Sequence, residues 1–282
     1  MSALVIKNLS KSYKGFKLDN ISLTLPKGCI LGLIGENGAG KSTTIKLILN
    51  TIRRDSGSID VLGEDNKKNF EEKKEDIGVV LDEAYFPETF TVKHVNIVMK
   101  NTYKNWDQEL FYRYIEKLSL PHDKAFKEFS RGMKMKLAIA AALSHKAKLL
   151  LLDEATSGLD PIARDEILNI INEFTRDENN SVLISSHILS DLEKICDYIA
   201  FLHKGKLVFC EEKDILLEKY GILKCSKSDF AAVSPEAVKG TRENSYCIEA
   251  LVERAKVPFG FAVDRASIED IIVFLAREGA KR

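Results

Sequence analysis

Apolar residues recur along this chain in short runs separated by polar turns, and the period of the runs changes from place to place. Residues 4–9 read as a strand, and about 19–25 as a second, with Ile21, Leu23 and Leu25 alternating onto one face. Ile30-Leu31-Gly32-Leu33-Ile34 is apolar without a break, and Ile45, Leu47, Ile48 and Leu49 carry a helical pattern after it. Asp55-Ser56-Gly57 marks a turn, and residues 59–62 form a short strand closed by Gly63. Ile77-Gly78-Val79-Val80-Leu81, Leu149-Leu150-Leu151-Leu152 and Ser181-Val182-Leu183-Ile184-Ser185 are further buried-strand candidates. Unbroken runs of this kind suit a parallel sheet covered on both faces, whose ligands sit at the carboxyl ends of the strands. Pro161 opens a helix with Asp160 as its cap, and Ile162, Ile167, Ile170, Ile171 and Phe174 give that helix its apolar side. Strand and helix alternate to about Phe209, with a hairpin turn at Lys204-Gly205-Lys206.

Three stretches depart from this alternation. Residues 64–76 are strongly charged and read as a solvated helix face. From about 87 to 145 helical periods dominate, Pro121 breaks the pattern, and the aromatics Phe90, Tyr103, Trp106, Phe111, Tyr112 and Tyr114 gather. They are expected to build the core of a helical subdomain, any surplus marking a docking surface for a partner helix. The last seventy or so residues carry no catalytic motif and read as a small accessory α+β piece. There Ser267-Ile268-Glu269-Asp270 is a capping box, opening a helix with Ile268, Ile271, Ile272 and Leu275 on its apolar face.

Charge and composition narrow the function classes. Lys plus Arg and Asp plus Glu number 42 each, so no global positive field invites nucleic acid. Polar residues interrupt the richest apolar stretches before they reach bilayer length. The strand-like Leu4-Val5-Ile6 begins almost at once, with no charged-then-apolar leader, and the expected location is cytoplasmic. Cys29, Cys196, Cys210, Cys225 and Cys247 lack C-x-x-C spacing, which favours reduced thiols over disulfides or a metal site.

Candidate chemistry concentrates in Gly35-Glu36-Asn37-Gly38-Ala39-Gly40-Lys41-Ser42-Thr43, the pattern of a phosphate-binding loop between a strand and a helix. Its glycines let backbone N–H groups curl inward, and the following helix aims its positive end at an anion. Lys41 is placed to reach the β and γ phosphates, and the Ser42 hydroxyl to ligate Mg²⁺. Asp153 and Glu154, where an apolar run ends, are candidates for holding Mg²⁺ and polarising an attacking water. Asp82-Glu83 ends another run and is open to a metal or water contact, or to being an ordinary polar loop start. His187, two residues beyond a strand, is either structural or a γ-phosphate contact, and Tyr13 is either a surface aromatic or an adenine-stacking ring.

Phe129-Ser130-Arg131-Gly132-Met133, then Leu149 onward as LLLLDEATSGLD, then His187, follow the phosphate loop in an order that resembles the nucleotide-binding subunit of an ATP-binding-cassette (ABC) transporter. The resemblance covers roughly residues 2–210. The F-S-R-G-M form is similar to the bacterial exporter branch with Y-S-R-G-M, which includes drug, antimicrobial-peptide and modulin-type peptide exporters. The resemblance implies an α/β fold with a mixed sheet core, an N-terminal antiparallel β subdomain, a helical signature subdomain and a small α+β extension. By the same resemblance, Tyr13 stacks on adenine, and Gly35, Asn37, Gly38, Ala39, Gly40, Lys41, Ser42 and Thr43 hold phosphate. Ser42, Asp82 and Asp153 serve Mg²⁺. Glu154 and His187 are catalytic. Ser130 and Gly132 contact the γ-phosphate held by a second subunit, and Ser157-Gly158-Leu159-Asp160 crosses to that subunit's site. Asp82 stands where the family usually has Gln, Arg131 and Met133 replace the Gly and Gln of L-S-G-G-Q, and Ala155 stands where Pro is frequent.

The expected function is an ATPase, with ATP and Mg²⁺, powering export through a separate integral membrane permease by head-to-tail dimerisation with a second cassette. The dimer is of identical chains or of paralogues. Residues 1–210 are the expected nucleotide-binding domain, 87–145 its helical subdomain and 211–282 an accessory region, the whole peripheral to the membrane through its partner. The 82–103 stretch is the expected receiver of the permease's coupling helix. Two other readings stay open: a poorly hydrolysing ATP-gated switch, which Asp82 and Met133 favour, and a non-transport ABC ATPase. The single copy of each motif, without a heptad insertion, stands against the second.

Overall fold

The computed structural model describes residues 1–68, 70–82, 85–243 and 247–279, so Glu83 lies outside the described residues. The chain divides into two compact units, Met1–Cys210 and Glu211–Arg282.

The first unit opens with β1 (Ser2–Tyr13), β2 (Phe16–Pro26), β3 (Ile30–Ile34) and the helix α1 (Lys41–Ile48). Next come β4 (Ser56–Val61), β5 (Glu64–Asp65), α2 (Phe70–Lys73) and β6 (Ile77–Val80). Three helices follow, α3 (Val92–Thr102), α4 (Gln108–Lys117) and α5 (Arg131–Leu143). The unit then runs through β7 (Leu149–Asp153), α6 (Pro161–Phe174), β8 (Ser181–Ser186), α7 (Leu189–Ile195), β9 (Tyr198–His203) and β10 (Lys206–Glu212).

Two sheets result. An antiparallel one has the order β2-β1-β4-β5, and its core side takes Leu18, Ile21, Leu23 and Leu25 from the alternating face of β2. The other has the order β10-β9-β3-β8-β7-β6, with β9-β3-β8-β7-β6 parallel throughout. The three leucine-, isoleucine- and valine-rich runs are its central strands, and every residue of β3, β7 and β8 is buried. Parallel pairing puts the carboxyl ends of β3, β7 and β8 side by side, which brings residues 35, 154 and 187 to one edge.

The charged stretch 64–76 is not one helix. Asp65 pairs in β5 and accepts two bonds from the Arg54 guanidinium at 2.8 and 3.0 Å. The buried Asn66 amide donates to the carbonyls of Leu47 and Ile48 at 2.7 and 2.8 Å, capping the end of α1. These side chains anchor the segment to the core, leaving a helix over Phe70–Lys73 and a tight turn at Lys74–Asp76. The mixed charge pattern hid that, because it read as surface.

α3 and α4 pack on α5 as the helical part of the unit. All six aromatics gathered there are buried or half-buried: Phe111 is buried, Tyr103 stacks on His145 at 4.0 Å, and Trp106 donates to Asn96 at 2.9 Å. The exposed apolar positions are instead Leu81, Tyr85, Ile97 and Val98.

The second unit comprises α8 (Lys213–Lys219), β11 (Tyr220–Cys225), α9 (Lys227–Phe230), β12 (Val238–Glu243), β13 (Ile248–Glu253), β14 (Val263–Arg265) and α10 (Ile268–Gly279). Its antiparallel sheet has the order β12-β13-β11-β14, and α10 packs on β12 and β13. The Ser267 hydroxyl and the Asp270 carboxylate exchange backbone bonds at 3.1 and 3.0 Å, starting α10, and Ile268, Ile271, Ile272 and Phe274 are buried.

Candidate functional site

The phosphate-loop pattern forms a tight loop from β3 into α1. Gly40 caps the helix with φ 114°, a backbone only glycine takes without strain, and it has no side chain to satisfy the first-turn amides. A Cβ there would also lie 2.8 Å from Leu18 Cδ1 and 3.1 Å from Phe16 Cζ. The Thr44 hydroxyl donates to the Gly40 carbonyl at 2.9 Å, and the Gly205 amide donates to the Ala39 carbonyl at 3.1 Å. The loop is thus held on its inner side, while Glu36, Asn37 and Gly38 are exposed. An uncapped helix N-terminus with a buried lysine beside it suits an anion.

Lys41 is 5% exposed, and its ammonium donates to the Gly35 carbonyl at 2.7 Å and pairs with Glu154 Oε1 at 3.1 Å. The other Glu154 oxygen meets His187 Nδ1 at 2.6 Å. A carboxylate only accepts, so the proton of this bond sits on Nδ1, and Nε2 of a neutral ring is left to accept. Lys41, Glu154 and His187 therefore form one chain of charge-assisted contacts across the ends of β3, β7 and β8.

Asp153 and Glu154 sit next to each other in sequence and in different surroundings. Asp153 is buried at the end of β7, where the Ser185 hydroxyl donates to its Oδ1 at 2.6 Å. Glu154 turns the chain with φ 52°, which costs a non-glycine residue of order 1 kcal/mol or more. Two bonds hold that turn: the Glu154 amide lies 3.1 Å from both the carbonyl and the hydroxyl oxygen of Ser185. Ser185 thus positions both acids. In the sequence its only signal is a hydroxyl closing an otherwise apolar run.

The candidate ligands for a cation are Ser42, Asp153 and Asp82, all oxygen donors, which suits a hard ion such as Mg²⁺. Among the described residues no group of three or more His, Cys, Asp or Glu is placed to hold a metal. When bound, Mg²⁺ would neutralise phosphate charge beside Asp153.

The remaining candidates form separate groups. Ser130 caps α5, its hydroxyl accepting from the Met133 amide at 3.2 Å while its own O–H is left to donate. Gly132 is half-buried, and a Cβ on it would meet ordinary contacts of 3.6 Å or more. Asp160 caps α6 by accepting from the Ile162 and Ala163 amides at 3.0 Å, and these bonds, Ala163's foremost, hold its carboxyl below the usual range. Asp82 Oδ1 takes the Arg131 guanidinium at 3.2 Å. Tyr13 ends β1 opposite Phe16, half exposed, with the Lys11 ammonium 5.5 Å from its ring centre.

Residues 18–157 match the family described as ABC transporter. The chain is 36% identical over 204 residues to the bacitracin transport ATP-binding protein BcrA of Bacillus licheniformis, spanning 71% of this chain and 67% of that protein. It is 37% identical over 214 residues to the lantibiotic transport ATP-binding protein SrtF of Streptococcus pyogenes, spanning 75% and 91%. Among solved structures, the ATP-binding subunit of an ABC transporter superposes with a TM-score of 0.69 at 27% identity, over 76% of this chain and 91% of that one. A dimeric ATP-binding cassette in a post-hydrolysis state, bound to ADP and phosphate, shares the fold with a TM-score of 0.67 at 20% identity, over 74% and 98%. A phosphate loop facing an acid, a glutamate and a histidine across the ends of parallel strands is the equipment of an ATPase, and with these relatives the chain belongs to the ATP-binding subunits of ABC transporters.

Proposed function

We propose that this chain powers export of an antimicrobial-peptide-like substrate through a separate membrane-spanning permease, by ATP-driven head-to-tail pairing of two cassettes. The observation that carries the chemistry is the Lys41–Glu154–His187 chain of contacts. A phosphate entering the loop offers Lys41 a stronger partner than Glu154, leaving Glu154 beside the His187 ring to polarise a water. Ser42 and Asp153 are assigned to Mg²⁺, with Asp82 as the third candidate, Tyr13 to the adenine, and residues 35–43 to the phosphates.

Gly132 supports pairing with a second cassette. Among the described residues the nearest atoms to a Cβ built there lie 3.6 Å or more away, so the chain itself leaves this turn open to close approach by a partner. Ser130, capping with its lone pair, still has a proton to donate to a partner's phosphate. Asp160 is assigned to the same cross-subunit face.

No helix among the described residues is long and apolar enough to cross a membrane, so the pathway is assigned to another protein and this chain to the inner membrane surface. The surface for that partner is a cavity of about 230 Å³ with Val79, Leu81, Phe86, Met99 and Ala141 among its walls. Tyr85, also in its wall, is 77% exposed, and Ile97 and Val98 of α3 are exposed too. An exposed aromatic ring and an exposed leucine in the wall of an apolar hollow fit an inserted helix. The substrate class rests on the bacitracin and lantibiotic transport relatives.

Two measurements test this reading. Glu154→Gln should abolish steady-state hydrolysis and elute as a dimer with ATP, a persistent monomer counting against the paired cassette. Affinity isolation from detergent-solubilised membranes should recover an integral membrane protein; recovery of ribosomes or DNA alone would refute transport.

A further inference from the structure

Two residues that depart from the family pattern touch each other. Asp82 lies in the segment after β6 and Arg131 in the first turn of α5, 49 positions on, and Arg131 Nη2 donates to Asp82 Oδ1 at 3.2 Å. The same guanidinium lies flat against a third segment: a Cβ on Gly158 would stand 3.0 Å from Arg131 Nη1, 3.1 Å from Cζ and 3.3 Å from Nε. Gly158 has φ 70°, so a side chain there would be strained, and the guanidinium would have to give way by a few tenths of an ångström. The residue that makes room for the guanidinium is thus part of the Ser157–Asp160 turn, which leads into α6.

We propose that Arg131 is a positioning residue, which with Asp82 as its counter-charge fixes the Ser130–Gly132 turn against residues 157–160. The inference rests on the paired-cassette reading for its consequence, because those two turns carry the groups assigned to the second subunit. It also assigns Asp82 a role besides the metal contact: its carboxylate balances a cation that would otherwise sit uncompensated beside the Ser130 cap.

Both side chains are more than half exposed, 54% and 59%, so the pair alone is weak. Its effect comes from geometry. The guanidinium bonds one carboxylate oxygen of Asp82 and lies over Gly158, so it links segments separated by 49 and 27 positions. Lysine, a point charge on a flexible stem, cannot reproduce the flat contact.

The test uses the full chain with Asp82→Asn, Arg131→Gln, their double variant, and the charge reversal Asp82→Arg with Arg131→Asp. In the nucleotide-free chain, amide exchange in residues 130–134 and 157–160 should rise about threefold to fivefold in either single variant, and no further in the double. The reversal restores the charge pair but takes the guanidinium off Gly158, so it should return exchange in residues 130–134 toward the parent value and leave residues 157–160 at the single-variant level. In a Glu154→Gln background, the ATP concentration for half-maximal dimerisation should follow the same order. Additive losses, or a reversal no better than a single variant in residues 130–134, would overturn the proposal. Rescue by the reversed pair cannot come from metal ligation, since it leaves no carboxylate at position 82. Failure of the Glu154→Gln parent to dimerise would sink the paired-cassette reading, and the positioning role would then stand or fall on the exchange data.

Discussion

Glu154 keeps a left-handed backbone that its side-chain type does not favour, and Ser185 is what makes the conformation hold. One hydroxyl serves both acids, donating to Asp153 and accepting from the Glu154 amide, so its removal leaves a buried carboxylate oxygen short of a donor and loosens the strained turn. Losing such a bond at a buried charged group costs about 1–3 kcal/mol. Ser185→Ala is therefore expected to lower kcat by about tenfold to a hundredfold while the ATP dissociation constant changes by only a few-fold. Paired measurements of turnover and nucleotide binding check this. A matched loss in both would mean that Ser185 supports the fold of the site in general and not its acids. At this scale the sequence was a good guide to which residues gather, because a phosphate loop, an acid pair and a histidine at strand ends each carry their own chemistry. It was a poor guide to who holds whom. In the sequence Ser185 is one more strand residue, and Asp82 and Arg131 stand 49 positions apart with nothing to link them.

At the scale of elements, the strand pattern carried most of the fold, since strands buried on both faces are written mainly with apolar residues. The charged stretch 64–76 misled because Asp65 and Asn66 look solvent-facing while their partners, Arg54 and the end of α1, lie up to 19 positions away. The hairpin turn between β9 and β10 was legible from Lys204-Gly205-Lys206, but its task was not. The Gly205 amide donates to Ala39 in the phosphate loop, and its carbonyl accepts from Asp19 of β2 at 2.8 Å. A Cβ at 205 would collide with the Lys17 carbonyl oxygen, so the turn fits between β2 and the loop only as glycine. Gly205→Ala should push the turn away from Ala39 and release the loop's inner side. Strain of about 1–3 kcal/mol corresponds to ATP binding weakened on the order of tenfold. Titration with a fluorescent ATP analogue measures it; unchanged affinity would show that the loop is held well enough by Thr44 and its own glycines.

The whole molecule balances 42 basic against 42 acidic residues, so acid sensitivity depends on where particular carboxylates are paired more than on net charge near neutrality. The second unit holds the clearest instance. Glu253, at the end of β13, meets the Lys239 ammonium of β12 at 2.8 Å and that of Lys256 at 2.6 Å. These two bonds, Lys239's first, lower its pKa to about 2, against 4.5 for an unperturbed glutamate. A carboxyl whose folded pKa lies below its unfolded one binds fewer protons when folded, so its contribution is complete above about pH 4.5 and is lost as pH falls from there toward about 2. The group is close to solvent, and screening reduces its contribution to about 1 kcal/mol. Glu253→Gln should therefore speed amide exchange in β12 and β13 at pH 7 by about fivefold, relative to β7 and β8 as an internal standard. The difference between variant and parent should shrink steadily below about pH 4.5, because the opened strand's Glu253 takes up a proton before the folded one does. Exchange measured segment by segment from pH 7 down to pH 2.5 reads both effects. A difference that persists undiminished at pH 2.5 would assign Glu253 a packing role in place of an electrostatic one.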